Sequence, residues 1–174
     1  VKFDIGVITN ITHEHLDYHK TWENYFLAKA KLIKNVRVAV LNKDEKNFER
    51  LSKLTLGKVV SFGLSEDADY NPKRLPLNLK IPGEYNLQNA LAAAVAGISL
   101  GVGRDTIIQT LSSFQSLPGR MEEVKNSRGI KIVIDFAHTP NGLEQVLKTL
   151  RSQAPKPPPA RLIAIIGAEG YRDE

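Results

Sequence analysis

The chain has 174 residues, enough to bury a sizeable core, and carries a formal net charge of +5 with a pI near 9.4. It contains no cysteine, so disulfides and thiolate metal ligands are excluded, and this suits a reducing cytoplasm. No apolar run approaches a membrane span, Val1 opens no signal peptide, and no basic stripe interleaved with aromatics marks a nucleic-acid binder. The excess of Lys and Arg favours anionic ligands such as nucleotides.

Ile5, Val7 and Ile8 predict a first strand. A polar turn follows it, and then Trp22, Tyr25, Phe26, Ile33 and Val36 recur at helical spacing. Three of the four histidines, His13, His15 and His19, stand between that strand and that helix. A strand therefore delivers a polar cluster to its carboxyl end, where open parallel sheets bind ligands. Further strands are expected over 37–41, 58–62 and 162–166, separated by helical stretches, and this alternation predicts a parallel α/β architecture. Residues 67–76 are polar and contain proline, so they read as a loop; 154–160, A-P-K-P-P-P-A, reads as an extended connector. A helix from Asp105 ends ahead of 117–119, where proline and glycine allow a hinge and a domain boundary. After it, I-K-I-V-I-D predicts a strand ending at Asp135, and 141–151 a helix. There is no internal repeat.

Lys29 breaks the pattern of the early helix, because its spacing puts it on the stripe of Trp22, Tyr25, Phe26 and Ile33. Apolar surroundings penalise the charged form of a lysine and favour a neutral, nucleophilic amine open to modification. The alternative is a stem that runs along the core edge with its ammonium in water. The histidine cluster also comes close to H-x-H-x-D-H, the zinc motif of metallo-β-lactamase-type hydrolases. Tyr18 stands where that motif needs its last histidine, and His138 is the one histidine left elsewhere to supply a ligand.

Four ordered segments carry a different resemblance. T-N-I-T-H-E-H-L-D-Y-H with A-K-A-K-L, G-E-Y-N-L-Q-N-A-L-A-A, L-P-G-R-M-E and D-F-A-H-T-P resemble motifs of the Mur ligases, the ATP-dependent amide-forming enzymes of peptidoglycan synthesis. The last segment, with G-A-E-G-Y-R-D at 167–173, is most similar to the branch of the family that adds the third amino acid of the peptide stem.

The resemblance implies an α/β fold: the parallel-sheet remainder of a central ATPase domain over 1–118, then the start of a Rossmann-like C-terminal domain over 119–174. It implies an ATP-dependent acid–amino-acid ligase that adds lysine or diaminopimelate to UDP-N-acetylmuramoyl-L-alanyl-D-glutamate through an acyl phosphate. His15 would coordinate Mg2+, with oxygen ligands completing the shell. Lys29 would carry a carbamate that helps position the metal. Asn86 and Asn89 would lie near the adenine ring, where amides offer both donor and acceptor. Asn86 could instead cap its helix. Arg120 would reach ATP with a planar cation suited to phosphate oxygens, the alternative being a solvated arginine beside Glu122 and Glu123. Asp135 would meet the ribose, His138 would approach the nucleotide, and Arg172 with Asp173 would contact substrate at the reaction centre. The partners implied are the UDP-muramoyl dipeptide and a free amino acid, with no nucleic acid, no membrane insertion, a cytoplasmic location and a monomeric parent protein.

Departures from the family pattern stand at Glu14, where an aspartate is usual, and at Ala168, Glu169 and Tyr171. The phosphate-binding sequence G-x-x-x-x-G-K-[ST] does not occur in the chain. The expectation is therefore an internal piece of a longer enzyme, inactive alone. The same skeleton serves folylpolyglutamate synthetase, and a nucleotide-binding module without turnover is the non-enzymatic alternative.

Overall fold

The computed structural model describes residues 3–12, 16–115, 117–155 and 161–167. Strands β1 (Ile5–Ile8), β2 (Val38–Asn42) and β3 (Lys58–Phe62) form one parallel sheet in that order, with Ile5 opposite Val38 and Val38 opposite Lys58. Parallel neighbours cannot be joined by a tight turn, so each connection crosses over through helix. Helices α1 (Leu16–His19) and α2 (Trp22–Lys34) link β1 to β2, and α3 (Phe48–Ser52) links β2 to β3. The Thr21 hydroxyl caps α2 by accepting the Asn24 N–H at 3.1 Å.

The central strand β2 is buried at every residue, as expected of a strand covered on both faces. Its alternation divides the core. Ala39 and Leu41 pack with Ile8, Phe26, Ile33 and Leu51, while Val38 and Val40 pack with Phe62, Leu91, Val95 and Ile107 on the opposite side. The second set belongs largely to α4 (Glu84–Ser99) and α5 (Arg104–Ser113), so the sheet lies between two helical layers.

Beyond α5, β4 (Glu122–Val124) and β5 (Ile132–Ile134) form an antiparallel pair, followed by α6 (Pro140–Gln153). Pro140 opens α6 where its missing N–H costs nothing, and the Thr139 hydroxyl accepts the Gly142 N–H at 3.1 Å. Among the described residues no helix is long and apolar enough to cross a membrane.

The antiparallel pairing of β4 with β5 was not foreseen, since strands of three residues such as E-E-V carry too little pattern to announce themselves. Two expectations need correction. The strand expected over 162–166 does not form: residues 161–167 have no regular structure, and Ile163, Ile165 and Ile166 are exposed. An apolar run becomes a strand only with a neighbour to accept its backbone hydrogen bonds. Asn86 is not a cap, because α4 begins at Glu84 behind Gly83, and the Asn86 amide donates to the Pro82 carbonyl at 2.7 Å.

Candidate functional site

The carboxyl ends of the parallel strands open into a cavity of about 580 Å³. Thr9, Asn10 and Asn42 come to it from β1 and β2, Asn86, Gln88 and Asn89 from α4, and Arg120, Asp135 and His138 from the turns around β4 and β5. A second cleft of about 690 Å³ shares Asn10, Thr12, Asn42, Tyr85 and Gln88 with it and extends over Asp44, Glu45 and Lys46. Five residues singled out in separate motifs, Asn86, Asn89, Arg120, Asp135 and His138, thus line one cavity.

Asp135 ends β5 with both carboxylate oxygens committed to backbone. Oδ2 accepts the Met121 N–H at 2.8 Å and Oδ1 the Ala137 N–H at 2.8 Å. The Phe136 N–H donates to the Gly119 carbonyl at 2.8 Å, closing the turn that carries Arg120. The Arg120 guanidinium lies 4.9 Å from the centre of the Phe136 ring, and the His138 ring meets that ring edge-on at 5.2 Å. Arg120 is therefore exposed but seated on an aromatic, rather than loose beside Glu122 and Glu123.

Tyr85 was not singled out by sequence, yet its hydroxyl is buried in this region without hydrogen-bond geometry to any partner among the described residues. Burial, with the Asp135 carboxylate, pushes its phenol above the ordinary tyrosine value. The Asn86 amide and the Arg120 cation oppose that shift; Asn86 lies near, but its own bond goes to Pro82. An unpaired buried hydroxyl in a cavity rich in amides and charge fits a polar ligand with hydrogen-bonding edges.

Asp44, also missed, gathers donors from two directions. Its carboxylate accepts the Leu64 N–H at 2.6 Å, the Ser65 N–H at 3.1 Å and hydroxyl, and the Gln88 amide at 3.0 Å. Burial alone would raise this carboxyl; those donors more than offset it and hold the group below its ordinary value. The N-K-D-E run straight after an apolar strand was the available signal.

Lys29 departs from its expected setting. Tyr25, Phe26, Ala30 and Ile33 are the buried residues of α2, while Lys29 is exposed, its ammonium 5.4 Å from the centre of the Tyr25 ring. Helical spacing places Lys29 near the stripe, but no element among the described residues covers it, and its long stem carries the charge outward. His13, His15, Arg172 and Asp173 lie outside the described residues. His19 packs against Tyr25, with ring centres 5.3 Å apart. Among the described residues no group of His, Cys, Asp or Glu gathers as a metal site.

A parallel α/β core with a polar cavity across its strand ends defines a ligand-binding protein of the open-sheet class. The chain belongs to the Mur ligase family: residues 1–97 match the Mur ligase middle domain and residues 119–174 the Mur ligase glutamate ligase domain. It is 35% identical to the UDP-N-acetylmuramoyl-L-alanyl-D-glutamate--2,6-diaminopimelate ligase of Geobacter sulfurreducens, covering 99% of this chain and 38% of that protein. The enzyme of the same name from Clostridium botulinum is 36% identical over 99% of this chain and 39% of its own length. A solved structure of a UDP-N-acetylmuramoyl-L-alanyl-D-glutamate--2,6-diaminopimelate ligase superposes with a TM-score of 0.70 at 27% identity, over 88% of this chain and 36% of that one. The chain thus spans under two-fifths of the length of these relatives.

Proposed function

We propose that the chain is part of an ATP-dependent ligase that joins an amino acid to UDP-N-acetylmuramoyl-L-alanyl-D-glutamate in peptidoglycan synthesis. The observation that carries this reading is the convergence of Asn86, Asn89, Arg120, Asp135 and His138, drawn from widely separated motifs, on one cavity at the strand ends. The names of the relatives favour diaminopimelate over lysine as the amino acid added. In this reading residues 1–118 belong to the central domain and 119–174 to the C-terminal domain, with the hinge between them next to Arg120.

ATP, with Mg2+, supplies the phosphoryl group that turns the substrate carboxylate into an acyl phosphate. The amine of the incoming amino acid then attacks the acyl carbon, forming the amide and releasing phosphate. Asn86 and Asn89 hold the adenine edge by donating and accepting. Arg120, steadied on Phe136, turns a planar cation toward the phosphates and offsets negative charge there. Asp135 and His138 bound the ribose side. His15 and a carbamate on Lys29 are assigned to the metal, and Arg172 with Asp173 to the substrate, on the family motifs alone. Lys29 is exposed, so carbon dioxide can reach its amine, while the apolar setting that would favour the neutral form is absent among the described residues. The protein works in the cytoplasm as a monomer.

The deciding experiment is phosphate release by the complete protein with ATP, Mg2+, the UDP-muramoyl dipeptide and either diaminopimelate or lysine. Release that requires both the nucleotide sugar and diaminopimelate is expected. Release with an unrelated acceptor only would replace this reading.

A further inference from the structure

We infer that Asp44 is a positioning residue of the nucleotide site, fixing through Gln88 the opening turns of α4 that carry Asn86 and Asn89. The inference rests on the reading of those asparagines as nucleotide contacts.

The opening of α4 is held by few contacts: Leu87 packs at the edge of the core, and the Asn86 amide donates to the Pro82 carbonyl. Its N-cap is Gly83, which offers no side chain to the free backbone N–H groups, and its buried residues begin only at Ala90. The second half of the helix is anchored by Leu91, Ala92, Ala94 and Val95 in the core; the asparagines precede all of these. Between Asn86 and Asn89 stands Gln88, whose amide donates to Asp44 at 3.0 Å.

Asp44 is itself rigidly placed. Its N–H donates to Asn42 Oδ1 at 3.0 Å, and the buried Asn42 donates to the Thr9 carbonyl at 3.0 Å, so the turn after β2 is tied to the end of β1. The same carboxylate takes the Leu64 and Ser65 amides beyond β3. It approaches that backbone so closely that a Cβ on Gly63 would stand 2.9 Å from Asp44 Oδ2. One residue, through its backbone N–H and its carboxylate, thus references the first turns of α4 to all three strand ends. A clip serving only the 63–65 loop would need Leu64 and Ser65 but not Gln88.

The test uses the complete ligase, with calorimetric titration of ADP in the presence of Mg2+ and steady-state phosphate release. Gln88→Ala keeps the loop clip and removes the tie to α4; it should weaken ADP binding about fivefold, and Asp44→Asn about tenfold, raising KM for ATP more than lowering kcat. Gln88→Glu alone sets two carboxylates together and should also weaken binding. In the double variant Asp44→Asn with Gln88→Ala the two losses should not add, because both act on one tie, and affinity should stay within about threefold of that of Asp44→Asn alone. The inference is overturned if Gln88→Ala binds ADP normally, which would leave Asp44 a loop clip. It also falls if the two losses add in the double variant, which would make Gln88 a direct contact. If Asn86→Ala and Asn89→Ala leave ADP affinity unchanged, the nucleotide reading itself is wrong and the inference goes with it. Should Asp44→Asn fail to fold, amide hydrogen exchange over 84–89 in ligand-free Gln88→Ala decides: faster exchange than in the parent is expected, and unchanged exchange overturns the inference.

Discussion

Asp135 accepts the backbone N–H of Met121 at 2.8 Å, and Met121 holds a φ of 49°. A residue with a side chain costs about 1–2 kcal/mol in the left-handed region, so a partner must pin it there. Gly119, with φ 71°, and Met121 bracket Arg120, and the pinned turn sets its guanidinium over Phe136. Asp135 thus has a structural task besides any contact with a ligand. Asp135→Ala should lower unfolding stability by about 2 kcal/mol, and Asp135→Asn, which keeps one acceptor, by less. Urea midpoints measure both, with the exposed His138→Ala as control. Equal losses in Asp135→Ala and His138→Ala would contradict the pinning role.

The bracketing glycine gives a second, separable effect. A Cβ on Gly119 would meet nothing within 4 Å, so only the backbone conformation resists a side chain there. Gly119→Ala should cost about 1 kcal/mol in urea unfolding, with no loss of packing. A neutral result would mean that the turn readily adopts another conformation.

How much of this could be read from the sequence depends on what each feature needs. The strand over 58–62 forms where Val59, Val60 and Phe62 put it, because β-structure at that place needs only a buried neighbour, and β2 supplies one. The five cavity residues could be named from motifs, but not the bonds that fix them. The partners of Asp135 are backbone amides, which every residue carries and no sequence pattern distinguishes. Lys29 shows the limit of periodicity: spacing gives an angle around the helix, while burial depends on what packs over that angle. Tyr85 and Asp44 matter through groups brought near them from elsewhere in the sequence, the Asp135 charge acting on the Tyr85 phenol and the Gln88 amide bonding Asp44.

The core leucine in the middle of α4 and the surface leucine at its C-cap should separate cleanly. Leu91 is fully buried against the sheet, whereas Leu100 is 64% exposed. Leu91→Ala should cost about 2–5 kcal/mol, and Leu100→Ala less than about 0.5 kcal/mol. A small loss at Leu91 would mean that α4 does not seal that face of the sheet.

The Asp44 carboxyl titrates below its ordinary value when folded, so the folded protein binds this proton less tightly than the unfolded chain. Its contribution is therefore fully present above the unfolded value of 3.8 and is lost as pH falls through the lower folded value. The stability gap between the parent and Asp44→Asn should be constant near neutral pH and shrink only in acid. Lys43 and Glu45 flank Asp44 in sequence, and Gln88 and Ser65 face it without titrating in this range. Chemical denaturation across the acid range checks it; a gap that instead narrows above pH 7 would point to another group.

Lys29 provides the sharpest separation of chemistry from folding. It is exposed and buries nothing in the core, so Lys29→Ala should leave the urea midpoint within about 0.5 kcal/mol of the parent. If a carbamate on this amine helps hold the metal, the same variant of the complete ligase should lose phosphate release by about a hundredfold or more. A small carboxylate such as acetate or formate, added to that variant, should restore part of the rate by supplying the missing oxygens. Bicarbonate-dependent labelling of the parent, absent in the variant, would locate the adduct directly. Full turnover by Lys29→Ala would remove the carbamate from the mechanism and return Lys29 to an ordinary solvated cation beside Tyr25.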